Sequence, residues 1–600
     1  MKNKTKTIIS AIAFAVLLGC ATMFFSACGD GRKHYTLNAP EDNYVIVDAF
    51  VDYIDVQVTY RPYDDIIPLF MITPGDGKWT EANNEADRTS DIAPKFTHRF
   101  SGLTPNTEYT VSVKYKGNAT NNDSAPCTKT VTTLKHTQDV PEATFSQADK
   151  TVTVEQNAAY EYSFDDGATY GTTNVFTYSE NGEKTIKVRY KATNDKYASA
   201  DQIINVKITD YYAGFGTEND PYQIATFEHF EAITSADANA YFKLISDITF
   251  PDTAVDPRPN IYRAHFDGNG HKLINPIIAP NNATNNLCGV FSQVGAVQNL
   301  TVENAKVDYL EAVQFNVGII AGIADVVKNC KVSGEITVTS SDKYWAECYV
   351  GGIIGRVRNG GNVDDNDYKI FNLHSDVKIR YNSSNNEIGT LYVGGLFGAD
   401  ERPMLSYRHE ELELSECGAN VDIELLGTYR ADVGGLVGSM TGDITNCYSI
   451  GTIVTDGAGQ TMSIGGIASY VGNGSISSCY AAMNLTANGT NQNVYIGGIA
   501  RSATGTDEQE IANCFFVGNI AITAGDGKIA MSNSLTVGIL PAGYTVNNCY
   551  HSDNLVSHVS TDKSTAVSEE LMATAEWQQN TLNLSADIWS FEDGKYPTLK

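Results

Sequence analysis

Two stretches of this 600-residue chain gather the side chains best suited to holding a polar ligand. The first carries Arg356, Arg358, Asp364, Asp365, Asp367 and Tyr368, and the second carries Asp400, Glu401, Arg402, Tyr407, Arg408, His409 and Glu410. Carboxylates accept hydrogen bonds, guanidiniums donate them and tyrosines do both, a mixture that suits a polar polymer. Asp364, Asp365 and Asp367 also have the oxygen chemistry of a calcium ligand set; no other cofactor is implied. A second candidate surface is aromatic: Tyr448, Tyr480, Phe515 and Tyr550 each follow a cysteine at a recurring position. If the cysteine points inward its neighbour points outward, and stacked rings present π faces to the C–H faces of sugars. Enzyme signatures are missing. His409-Glu410 opens like the zinc-peptidase HExxH, but position 413 is Glu, so the second histidine ligand is absent. Neither a phosphate-binding G-x-x-x-x-G-K-(S/T) loop nor a G-x-S-x-G elbow is present.

Both surfaces depend on a repeat that must position them. Val433-Gly434-Gly435-Leu436-Val437-Gly438 is followed by Asn446-Cys447-Tyr448. Related copies run Tyr349–Gly355 with Asn372-Leu373, Tyr392–Gly398 with Glu416-Cys417, Ile464–Ile467 with Ser478-Cys479, and Ile496–Ile499 with Asn513-Cys514. Looser copies sit at Cys288–Ser292, Val317–Gly322 and Val537–Pro541. Aligned on the second motif position they fall at 289, 319, 352, 395, 435, 466, 498 and 538. A period of this size marks a solenoid, whose repeats cannot bury their apolar faces alone. Each copy reads as three short strands, in the best case Asp432–Val437, Asp443–Ile450 and Thr452–Thr455. Three strands per repeat favour a parallel β-helix over a four-stranded propeller blade. Leu436, Ile444 and Cys447 should then point inward. The Asn before the cysteine tolerates the left-handed backbone of a sharp bend. Cys330, Cys417, Cys447, Cys479, Cys514 and Cys549 share one repeat position and are expected as a column of buried thiols. The two ligand-rich stretches are insertions between the motif and the cysteine position of consecutive copies, so they should leave the same turn side by side. Insertions in solenoids tend to gather on a binding face.

The pattern Gly-Gly-(Ile/Leu)-x-Gly followed by Asn-Cys-Tyr resembles the GLUG motif of bacterial surface proteins. Residues 216–224 and 266–271 look like the entry segments that precede such repeats, and Trp589-Ser590-Phe591 with Tyr596–Leu599 resembles their closing segment. The resemblance implies a cell-surface β-helix and leaves its chemistry open.

Ahead of the repeats, Lys2, Lys4 and Lys6 precede an apolar run from Ile8 to Phe25, the form of a secretory signal. Cys28 is the expected lipidation site of a lipoprotein, with Cys20 as the alternative. Residues 37–135 alternate at period two around Leu103–Val113, with Tyr109 placed for a tyrosine corner, and resemble a fibronectin type III sandwich. Residues 138–210 repeat the theme as an immunoglobulin-like module. Ser568–Asn580, with Leu571, Ala575 and Trp577 as apolar positions, reads as a capping helix for the solenoid's last edge. A net charge of −29 disfavours nucleic acid as a partner.

The expected architecture is therefore all-β. It comprises a signal peptide over 1–28, two β-sandwich modules over 37–135 and 138–210, and a right-handed parallel β-helix over 214–600. The expected role is a monomeric, lipid-anchored cell-surface protein that binds extracellular glycans or surface proteins. Two alternatives stand beside it. One is a polysaccharide lyase or glycosidase whose carboxylates come from adjacent coils, where sequence spacing cannot reveal them. The other is a structural envelope protein.

Overall fold

The computed structural model describes residues 35–59, 67–82, 95–280, 286–310, 314–340, 347–358, 369–383, 389–400, 412–428, 430–457, 461–489, 493–504, 509–524, 530–532, 537–539, 545–555 and 564–600. The described chain is all-β apart from a few helices of six residues or fewer. No described helix is long and apolar enough to cross a membrane. Two compact units divide it. One takes the chain up to Glu142 with Asn157–Tyr162 and Val188–Gln202; the other takes Ala143–Gln156, Ser163–Lys187 and Ile203–Lys600. Strands of the 138–210 stretch fall in both units.

In the first unit, Val45–Ala49, Tyr53–Thr59 and Lys95–Ser101 form one antiparallel sheet, and Thr80–Glu81, Pro68–Thr73, Glu108–Tyr115 and Cys127–Thr132 form another. Their inward residues, among them Ile54, Val56, Phe70, Val111 and Val113, share one apolar core. The Tyr109 hydroxyl accepts a hydrogen bond from the Thr104 N–H at 3.0 Å, closing the tyrosine corner that the sequence places there. The Tyr162 hydroxyl likewise accepts from the Asn157 N–H at 2.9 Å, forming a second corner.

From Tyr222 to Val567 the second unit is built by one rule. Each strand pairs in parallel with its counterpart in the next repeat: Val393 with Val433, Val433 with Ile464, and Ile464 with Ile496. The best copy makes three strands, Arg430–Gly434, Val437–Thr445 and Tyr448–Gly457. The bends therefore fall at Gly435-Leu436 and Asn446-Cys447, so the expected strand Asp432–Val437 is divided and the second strand starts earlier. A Cβ on Gly435 would lie 2.0 Å from the Gly466 carbonyl oxygen of the next rung, which leaves the first bend no room for a side chain. At the second bend all eight equivalents are left-handed, with φ between 49° and 55°, including Glu416 and Ser478. Asparagine fills the other six. Its side chains bridge rungs where neighbours match: Asn329 Nδ2 donates to Asn299 Oδ1 at 3.0 Å and Asn372 Nδ2 to Asn329 Oδ1 at 3.1 Å.

Leu436, Ile444 and Cys447 are fully buried in one apolar cluster that runs from Tyr211 to Cys549. Ile444 lies on the inner face of its strand, and Leu436 and Cys447 turn inward at the two bends. The six repeat cysteines are free and buried, and each thiol donates to backbone carbonyls; Cys447 Sγ reaches the Thr445 oxygen at 3.1 Å. Burial pushes the Cys330 thiol up to about 12.

Two registers differ from the sequence alignment. Cys288 pairs with Val317, so Val290 rather than Gly289 matches position 319. Ser532 pairs with Ile496 and Val537 with Ala500, so the last copy begins before Val537. Loose copies lack the Gly-Gly pair that fixes the bend, which is why their alignment slipped.

Candidate functional site

The insertion-bearing turn is described on both sides. Val357 pairs with Asp400 where the insertions leave, and Lys369 pairs with Glu413 where they return. Consecutive rungs therefore carry both insertions at one register. Asp364, Asp365, Asp367, Tyr368, Glu401, Arg402, Tyr407, Arg408 and His409 lie outside the described residues, as do Cys20 and Cys28. Among the described residues no group of three or more His, Cys, Asp and Glu is placed to hold a metal ion.

Arg356, Arg358 and Asp400 form the described base of this face. Arg358 grips Asp325 with two bonds, Nε to Oδ1 at 2.7 Å and Nη2 to Oδ2 at 2.6 Å. Its Nη2 also donates to the Tyr262 carbonyl at 3.1 Å, where the strand register shifts between Ile261 and His265. The Asp325 side chain is 2% exposed, so this pair is held in a desolvated setting and fixes the start of the first insertion. Arg356 lies 5.0 Å over the Tyr349 ring. That ring stacks on Tyr392 at 5.3 Å, and both hydroxyls donate to Glu347, at 2.6 and 3.3 Å. Asp400 differs from expectation. It ends the strand Phe397–Asp400, is buried, and accepts from the Thr441 N–H at 3.2 Å, so it braces the fold instead of projecting with the loop.

The aromatic column forms but is not exposed. Tyr448 stacks on Tyr480 at 5.4 Å and Tyr480 on Phe515 at 4.9 Å, with Tyr550 next in register. Tyr480 is 1% and Phe515 0% exposed, because the C-terminal segment lies across them. Trp589, Trp577, Met572, Leu582 and Leu584 pack on the rings, Tyr550 included, and the Tyr480 hydroxyl donates to the Pro597 carbonyl at 2.7 Å. The helix expected to cap the solenoid's end is thus part of a lateral cover spanning four rungs. It consists of two short helices, Glu569–Met572 and Ala575–Asn580. Ser568 is the N-cap and Trp577 is buried as expected, but Met572 is buried instead of Leu571, which is 49% exposed. Sequence could show that these rings face outward; it could not show what would cover them.

A groove that no sequence motif marks lies on the first rungs of the same unit. Its volume is about 740 Å³. Tyr241 and His265 are register partners whose rings stack at 4.5 Å and 8°. Lys243, Asp267 and Gln298 line it alongside, and residues 218–221 make its wall. The wall is fixed by a tight turn in which the Phe215 and Thr217 N–H groups donate to the Asp220 carbonyl. Burial lowers the His265 pKa, with Glu218 opposing it, so the imidazole is neutral at pH 7. Tyr241 and His265 are 24 positions apart in irregularly spaced entry rungs, and only the observed register unites them.

Comparison with known proteins adds the following. The model of the GLUG motif matches residues 429–454, the copy with the fullest pattern. Halomucin of Haloquadratum walsbyi (strain DSM 16790 / HBSQ001) is 25% identical over 219 residues, which is 32% of this chain and 2% of halomucin. The chain thus spans only a small fraction of that relative's length. Among solved structures, a two-domain fibronectin type III segment of chicken tenascin aligns over 27% of this chain and 97% of its own, at 17% identity and a TM-score of 0.18. A family 28 exopolygalacturonase of Yersinia enterocolitica aligns over 86% of this chain and 92% of its own, at 11% identity and a TM-score of 0.15. What the comparisons identify in this chain is therefore a match to the GLUG motif over residues 429–454.

Proposed function

We propose that this chain is a lipid-anchored cell-surface protein whose residues 214–600 form a right-handed parallel β-helix that binds extracellular glycans. The observation that carries the binding role is the shared register of the two long insertions: Val357 with Asp400 at their start, Lys369 with Glu413 at their end. Two insertions rich in Arg, Asp and Tyr that leave and rejoin parallel strands at matched register are suited to act together on one polar ligand. The Arg358–Asp325 pair supports the reading by holding the base of the first insertion still. The GLUG match and the similarity to halomucin support the surface location. The Ile8–Phe25 run and Cys28 supply the anchor.

Shortening both insertions to the eight to ten residues that most other copies have at this point should leave thermal melting nearly unchanged and remove at least one of the glycan-array signals of the full chain. Retention of every signal overturns the insertion face as a binding site. For the anchor, Cys28→Ser should release the protein from the membrane fraction while Cys20→Ser should not. Equal retention of both variants and of the double variant overturns it.

A further inference from the structure

The aromatic stack on the first rungs stops one ring short. In-register pairing runs Tyr241 to His265, then His265 to Ala296, then Ala296 to Val326. Tyr241 covers one face of the imidazole. The other face looks along the stacking direction over the Ala296 methyl, where a larger side chain would have continued the column. The space left is one rung deep, ~4.8 Å, about the thickness needed to seat a sugar ring against an aromatic face. Polar groups stand two positions further along the same strands: Lys243, Asp267 and Gln298 follow Tyr241, His265 and Ala296 in turn. Gln298 Nε2 donates to Asp267 Oδ2 at 3.2 Å, which leaves the amide oxygen of Gln298 as an acceptor toward the groove.

We propose that this slot is a saccharide-binding site that seats one ring of an uncharged pyranoside chain against the open face of His265, with its hydroxyls on Lys243, Asp267 and Gln298. The ring's C–H face meets the imidazole while donors and acceptors at the rim take its hydroxyls. The charge of the lining selects among sugars. Glu218, Asp220 and Asp267 outnumber Lys243, so a uronate or sulfated chain meets net repulsion. The slot shares no residue with the insertion-bearing face and does not depend on it. One chain carrying two separated sugar sites would bind a polymer by linked contacts, each raising the effective concentration at the other.

The test uses the full chain and titration calorimetry with cello-, manno- and chitohexaose, with hexagalacturonate as the anionic comparison. At least one uncharged hexasaccharide should bind, and hexagalacturonate should bind at least tenfold more weakly. His265→Ala should weaken that binding about three- to tenfold, the worth of one aromatic contact. Ala296→Phe, which completes the column, should abolish it, while Ala296→Gly should keep it. Gln298→Ala, at an exposed position, should weaken it severalfold and guards against a folding defect in the bulkier variant. The chain with both insertions shortened should still bind. The inference is overturned if no uncharged hexasaccharide binds, if Ala296→Phe folds and binds as before, if hexagalacturonate binds as tightly as the others, or if shortening the insertions removes this binding.

Discussion

Two aromatic stacks rise from the repeat region by the same means and end differently. Tyr448, Tyr480, Phe515 and Tyr550 stack because parallel in-register pairing places like residues above one another. Tyr241 and His265 stack for the same reason. The first stack lies beneath Trp577, Trp589 and Tyr596; the second opens into a groove. An outward column on parallel, in-register strands is thus only an opportunity. Whether it becomes a seam for the chain's own tail or a seat for a ligand is decided by a segment that lies beyond the repeats, or by a single alanine on the next rung.

The contrast can be broken most forcefully at Trp589, which is 1% exposed against Tyr480. Trp589→Ala should cost about 3–5 kcal/mol, whereas Tyr241→Ala, at the open stack, should cost well under that. Chemical denaturation of both variants checks the difference; equal losses would mean that the tail does not seal the column. Gly435→Ala probes the register on which both stacks rest. Its methyl would meet the Gly466 carbonyl at 2.0 Å, and moving that backbone should cost about 1–3 kcal/mol. Hydrogen exchange should show the loss in neighbouring rungs, with the Tyr109 corner untouched.

Alkaline pH should loosen the repeat region through the thiols. Burial raises the folded Cys330 and Cys348 pKa values from the ordinary 9.0 to about 12. Above pH 9 the unfolded chain has therefore lost protons that the folded chain keeps. Stability should be level below about pH 8 and fall steadily between about pH 9 and 12. Melting temperatures across that range check the sign, and a rise would contradict it. The smallest effect is a gain. Glu416 holds a left-handed φ of 53° that asparagine adopts at lower cost, and it sits between Asn372 and Asn446 in the bend column. Glu416→Asn should add about 0.5–1 kcal/mol, visible as a higher denaturation midpoint.

These residues also mark how far the sequence could be read. The bend at Asn446-Cys447, the inward Leu436 and Ile444, the thiol column and the Tyr109 corner were all legible. Each depends on local conformational preference or on alternation within one repeat. The paired bases of the insertions were legible too, because the extra residues fall at one motif position in two consecutive copies. What stayed hidden was non-local. Nothing near Tyr480 announces that Trp589 will cover it, and nothing near His265 announces Ala296 as its neighbour across an entry rung of irregular length. Arg358 and Asp400 were legible as polar residues at insertion bases, yet their grip on Asp325 and Thr441 requires pairings that only the folded rungs bring about.

The distinction between the open and the sealed stack is tested most directly by hydrogen exchange on the full chain, with and without the tightest-binding uncharged hexasaccharide. The account predicts new protection at residues 241–243, 265–267 and 296–298 and none at 448–450, 480–482, 515–517 or 564–600. Protection appearing in the sealed column or its cover, with none in the groove, would contradict it.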